Sequence, residues 1–244
     1  MKAKRVCYSD YHVHSLFSND SSSKIEDICI AAKKKGMKSV CITDHIDAVN
    51  FQKMNDTKEI ELFFTEFEKA RLKYEGEIRV IPGFEFSEPY ENIKLFENVL
   101  KYPFEYKMCS VHHCSRGRFP SPDSMEAKIA VHEYLVNVKK MLAMDGFDAI
   151  GHIDLIRRYF GEFPYSVEEI KEVLGIIIKK GLWLEINTSS MPKSVCDVHT
   201  KIDYVEEYVK MGGKKIVLGS DAHRIEDIGM KFEDISLKNV IVRE

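Results

Sequence analysis

Ser39-Val40-Cys41-Ile42-Thr43-Asp44, with His45 directly behind it, is a short apolar run that ends in a hydroxyl, a carboxylate and an imidazole. Its apolar residues do not alternate with polar ones, as they would in a strand with one wet face. Continuous apolarity belongs to a strand buried on both faces, the habit of parallel sheets covered by helices. Before it lies the amphipathic stretch Ile25–Lys35, closed by Gly36, whose spacing predicts a helix.

The same beat recurs outward in both directions. Val6–His12 precedes the run, and Ile78–Phe86, Tyr106–His112, Asp148–His152, Leu182–Asn187 and Lys215–Ser220 follow it. Helical patterns separate most of them: Lys58–Tyr74, Ile93–Lys101, Met125–Met144, Val167–Lys180 and Ile202–Met211. Ser23 before Lys24-Ile25-Glu26 resembles a capping box, and Gly146, Gly181 and Gly212 fall just past helix ends. Strands alternating with helices imply a parallel sheet, most economically closed as an α/β barrel of seven strands; a doubly wound open sheet is the alternative. No repeat, low-complexity segment or linker divides the chain, so residues 1–244 are expected to form one domain. There is no GxGxxG turn and no P-loop.

Apolar residues make up 44% and charged residues 31%, with a net charge of −3 scattered along the chain, as in a soluble globular protein. Nucleic acid would call for a basic face, whereas a small phosphorylated substrate needs only a local basic pocket. Met1–Tyr8 has no apolar core for a signal peptide, and Val173–Ile186 is broken by Lys179 and Lys180, so no membrane span is expected. The six cysteines show no CxxC spacing and read as buried free thiols, which fits a reducing cytoplasm.

Histidine placement carries the chemistry. Of nine histidines, His12, His14, His45, His112, His113, His152 and His223 lie at strand ends; His132 lies in a helical pattern and His199 in a polar loop. Asp10, Asp20, Asp44, Glu85, Asp154 and Asp221 join them. A lone strand-end histidine is ordinarily structural. Seven of nine at five strand ends are not explained by packing, and clustered carboxylates repel one another unless cations lie between them. In a parallel barrel those ends share one face, where barrel enzymes place their chemistry. Imidazole and carboxylate without thiolate suit zinc, manganese or iron rather than magnesium alone. In His12-Val13-His14, residues i and i+2 of a strand point to the same side and can grip one ion, with Asp10 placed to orient an imidazole.

Taken in order, His12-x-His14, Thr43-Asp44-His45, Gly83-x-Glu85, Ser110-Val111-His112-His113, Gly151-His152-Ile153-Asp154, Leu184-Glu185-Ile186-Asn187-Thr188-Ser189 and Gly219-Ser220-Asp221-Ala222-His223 resemble the PHP (polymerase and histidinol phosphatase) superfamily, histidinol-phosphatase branch. The resemblance runs from about Tyr8 to Gly229. It implies a distorted seven-stranded (β/α)7 barrel of PHP type holding three divalent transition-metal ions. By position, His12, His14, Glu85 and Asp221 would hold one ion. Glu85, bridging, would join His112 and His152 on a second, and His45, His223 and Asp20 would hold the third.

The implied activity is hydrolysis of a small phosphate monoester, L-histidinol phosphate first, by metal-activated water. Asp154 and His113 are candidates for the leaving-group proton. Arg157, then Arg116, Arg224 and Lys193, are candidates for the phosphate, while Arg118 and Arg158 read as surface charge. Rivals are a PHP phosphoesterase acting on another monoester or a phosphotyrosyl protein, an amidohydrolase, a nuclease module, and a non-catalytic metal-binding module. The loop after Ser189 and the short tail after Gly229 depart from the branch.

Overall fold

The computed structural model of the protein describes residues 9–114, 126–161, 166–191, 198–235 and 241–243. Arg116, Arg118 and Lys193 lie outside the described residues, as do Cys7 and Cys196. Strands β1 (Asp10–Val13), β2 (Ser39–Asp47), β3 (Arg79–Ser87), β4 (Tyr106–Ser110), β5 (Ala149–Ile150), β6 (Trp183–Asn187), β7 (Lys215–Gly219) and β8 (Ile241–Val242) pair in chain order, every pair parallel. Helices α1 (Ile25–Lys34), α2 (Thr57–Lys73), α3 (Ile93–Val99), α4 (Ala127–Leu142), α5 (Arg157–Phe160), α6 (Val167–Lys180) and α7 (Ile202–Lys210) lie between them. Pairing in strict chain order is a barrel's order; a doubly wound sheet reverses direction at its switch point. The end of β1 meets the chain beyond β7 through a parallel bridge between Val13 and Ala222, and His14 N donates to Ala222 O at 2.9 Å. The seven expected strands thus curl into a nearly closed barrel.

Two local expectations are corrected. Ser23 does not cap α1, whose N-cap is Lys24 without a side-chain bond; a capping box instead opens α6, where Ser166 and Glu169 bond reciprocally. A two-residue strand, β8, joins the start of β7 beyond the seven expected.

Strand periodicity sorts the barrel interior into layers. Tyr11, Cys41, Ile81, Tyr106, Met108, Ala149 and Val217 form a closed apolar cluster with Trp183 against it. Two residues further along their strands come Thr43, Gly83, Ser110, Gly151, Glu185 and Gly219. Two further still come His45, Glu85, His112 and Asp221. The outer apolar cluster, including Ile28, Phe63, Tyr134, Val138 and Leu174, packs the helices onto the strands. Among the described residues no helix is long and apolar enough to cross a membrane.

Candidate metal centre

Glu85 stands at the middle of the upper layer, fully buried. Its Oε1 lies 3.2 Å from His112 Nε2 and 3.0 Å from His152 Nε2. Its Oε2 lies 2.8 Å from His45 Nδ1, 3.4 Å from His12 Nε2 and 3.8 Å from His14 Nε2. Asp221 Oδ1 approaches His14 Nε2 at 3.3 Å and His12 Nε2 at 3.6 Å. At the rim Asp20 Oδ2 is 3.1 Å from His223 Nε2 and 3.6 Å from His45 Nε2. The nine residues expected as ligands therefore converge. Three groups here could each hold an ion: His12–His14–Asp221 and His14–His45–His223, which share His14, and Glu85–His112–His152; a fourth such group among the described residues is Asp47–Glu88–His113.

The donors fit cations. His12 Nε2 and His14 Nε2 are buried and make no hydrogen bond, with their carboxylate neighbours 3.3–3.8 Å away, an arrangement that costs free energy unless a ligand satisfies them. Burial opposes charge on Glu85, yet the imidazoles of His12, His112 and His45 outweigh it and hold the carboxyl well below its ordinary range. Burial likewise opposes charge on Asp221, which His12 and His14 hold well below that range. His45 shows the reciprocal effect: burial lowers it, but Glu85 and Asp20 push it up to about 10. His14 stays neutral, lowered well below 6.5 by burial and by the charges of His45 and His223.

Partners behind the ligands orient them. His14 Nδ1 meets Ser18 Oγ at 3.1 Å, and Ser18 Oγ donates to Asp44 at 2.8 Å. Ser87 Oγ lies 2.9 Å from His112 Nδ1. Asp10 orients no imidazole. Its carboxylate accepts from Ser220 N at 3.0 Å, Gly229 N at 2.8 Å and His12 N at 3.2 Å, pinning the β1–β7 closure. Asp221 has a φ of 52°, a left-handed backbone uncommon outside glycine, at the point where its carboxylate joins the centre.

A cleft of about 350 Å³ opens over the centre, lined by Asp20, His45, His112, His152, Asp221 and His223, with Arg158, Tyr159, Asp47, Asn50 and Phe51 around them. The other expected groups lie elsewhere. Asp154 is fully buried and bonds Arg157 Nη1 at 3.0 Å, Lys201 N at 2.8 Å and His199 Nδ1 at 3.3 Å. Arg157, 2% exposed, donates to Asp154 and to Val198 O, so it faces the protein rather than the cleft. His113 is buried between Glu88 and Asn50. Arg224 is exposed and lines a separate hollow beside His223. Among the described residues, the arginine that lines the cleft is Arg158, whose Nη2 donates to Ser189 Oγ at 2.7 Å and lies 3.6 Å from Asp221 Oδ2.

A parallel barrel whose strand ends gather imidazoles around one buried glutamate is the architecture of a known family, and the chain belongs to it: the PHP domain family model matches residues 10–189. Within that family, proteins carrying the name "Probable histidinol-phosphatase" align over nearly the whole length. The one from Clostridium acetobutylicum is 30% identical, covering 92% of this chain and 90% of its own. The one from Thermotoga maritima is 29% identical, covering 93% and 88%. A solved structure of histidinol phosphate phosphatase from Lactococcus lactis, complexed with zinc, L-histidinol and phosphate, superposes with a TM-score of 0.75 at 23% identity, covering 89% of this chain and 87% of that one. At that identity the likeness shows the barrel.

Proposed function

We propose that this chain is a cytoplasmic, metal-dependent phosphoric monoester hydrolase that converts L-histidinol phosphate to L-histidinol and phosphate, a step of histidine biosynthesis. The observation that carries this is Glu85 with five imidazoles within 3.8 Å under a cleft that also holds an arginine. The residues that would hold three divalent ions (zinc, manganese or iron) are His12, His14, Glu85, Asp221, His112, His152, His45, His223 and Asp20. Such ions, when bound, activate water and neutralise phosphoryl oxygens.

The chain's own residues do the rest. Arg158 offers a guanidinium to the phosphate beside Asp221 and takes the role expected of Arg157. Asp154 and His113, buried in other networks, are out of reach of a leaving oxygen. Asp47 and Asn50 offer hydrogen-bond partners, and Phe51 and Tyr159 offer flat apolar faces, to a small alcohol carrying an ammonium and an imidazole. A cleft of about 350 Å³ suits a small monoester.

The test is a kcat/KM panel of phosphate monoesters (histidinol phosphate, sugar phosphates, a phosphotyrosyl peptide), with metal analysis of the same preparation. Histidinol phosphate should rank first. Another ester turned over about tenfold better, a difference of roughly 1.4 kcal/mol in transition-state binding, would leave the phosphatase standing and displace the substrate.

A further inference from the structure

β6 supplies none of the proposed ligands, yet its motif places three polar residues on one face at alternate positions, Glu185, Asn187 and Ser189. They form a continuous hydrogen-bonded ladder. Arg158 Nη2 donates to Ser189 Oγ at 2.7 Å. Ser189 donates twice to Asn187 Oδ1, from Oγ at 2.7 Å and from its backbone N at 3.0 Å. Asn187 Nδ2 then donates to Glu185 Oε2 at 3.4 Å, which also accepts from His152 N at 2.8 Å. The other oxygen, Glu185 Oε1, lies 2.6 Å from His12 Nδ1.

The direction of the links from Arg158 to Glu185 is forced. A backbone N–H can only donate, so Asn187 must turn its oxygen to Ser189 and its NH2 to Glu185. With Glu185 ionised, His12 donates from Nδ1 to Oε1, which turns Nε2 toward the centre, where an ion would take its lone pair once the ring gives up its second proton. Gly219 makes room: a Cβ there would run into Glu185 Oε1 and come within 2.6 Å of His12 Cβ. Glu185 and Asn187 are fully buried, so water does not compete for the ladder.

We propose that this ladder is a positioning device that sets the His12 ring at one end and the Arg158 guanidinium at the other, so that metal loading and oxyanion binding are coupled through β6. The Arg158 half rests on the reading of the cleft as a phosphate site; the His12 half does not.

In Glu185→Gln an amide NH2 must face either the His12 Nδ1–H or the two donors His152 N and Asn187 Nδ2. Zinc or manganese affinity, measured against a competing chelator, should fall about 10- to 100-fold with the circular dichroism spectrum unchanged. Histidine ¹⁵N spectra of the zinc-loaded protein should show the His12 pattern altered. Ser189→Ala, at a half-buried position that removes only one hydroxyl, should keep its metal content. Inorganic phosphate should bind that loaded variant roughly tenfold more weakly, the scale of one lost charge-assisted bond. At saturating metal, Glu185→Gln should also weaken phosphate, reading across the ladder.

Wild-type metal affinity in a folded Glu185→Gln variant overturns the His12 half. Unchanged phosphate binding in Ser189→Ala overturns the Arg158 half whether or not Glu185→Gln folds, and unchanged phosphate binding in metal-saturated Glu185→Gln overturns the coupling. Phosphate binding is read by calorimetry rather than turnover. Failure of the hydrolase reading would instead appear as a wild-type protein that releases no phosphate from any ester.

Discussion

Glu85 touches imidazoles delivered by β1, β2, β4 and β5, so its charge is shared by every part of the centre. Glu85→Gln keeps the shape and removes that charge. Turnover and metal content should collapse together while far-UV circular dichroism stays native; full occupancy with near-normal kcat would show that Glu85 does not join the sites. The two neighbouring arginines should separate in the opposite sense. Arg158→Ala should lower kcat/KM for phosphate esters roughly ten- to a hundred-fold, the equivalent of about 1.5–3 kcal/mol, with metal retained. Arg157→Ala strips the buried Asp154 of a partner, and should cost about 3–5 kcal/mol of stability, read as an earlier unfolding midpoint. If Arg157→Ala folds normally and impairs phosphate release more than Arg158→Ala, the roles are exchanged.

Elements were far more legible than side-chain directions. Buried parallel strands and amphipathic helices announce themselves by periodicity, and α2, α6 and α7 begin or end within one residue of the expected bounds. The nine ligand candidates were readable because strand ends in a parallel barrel must converge. Arg157 and Arg158 are adjacent, however, and which of them enters the cleft depends on the one-turn helix α5, where Asp154 draws Arg157 inward. Asp154 and His113 resemble catalytic groups in sequence because their partners, Arg157, His199, Glu88 and Asn50, are distant along the chain or not obviously paired with them. The polar alternation of Glu185, Asn187 and Ser189 on an otherwise apolar strand was a visible signal for β6. Its support can be probed through the glycines. Gly219→Ala should lose metal affinity and cost about 1–3 kcal/mol of stability by overpacking, whereas Gly151→Ala, meeting the flexible Met108 Sδ at 3.1 Å, should be milder by thermal melt. The reverse order would contradict the proposed crowding around Glu185.

The whole barrel has two unlike ends. The upper end is open to the cleft and rich in imidazole. The lower end is plugged by Arg243, brought in by β8, whose guanidinium carbon lies 4.9 Å from the Tyr106 ring centre, 5.2 Å from Tyr11 and 5.4 Å from Trp183. Three such contacts, at about 0.5–1 kcal/mol each for a guanidinium that is only half-buried, make this short strand a clasp on the apolar layer beneath the centre. Arg243→Ala should lower the melting temperature by several degrees, at about 2–4 °C per kcal/mol, with turnover per loaded centre unchanged at low temperature. An unaltered melt would show that the plug contributes no stability.

If the His/Asp/Glu cluster holds cations that make this chain a histidinol-phosphate phosphatase, phosphate release must follow metal loading. The most direct measurement strips the protein with a chelator, verifies metal removal, and follows phosphate release from L-histidinol phosphate as zinc or manganese is titrated back. Activity should vanish in the stripped protein and return in step with loading, reaching a plateau near three ions per chain. Full turnover by verified metal-free protein, or complete loading without any phosphate release, would contradict it.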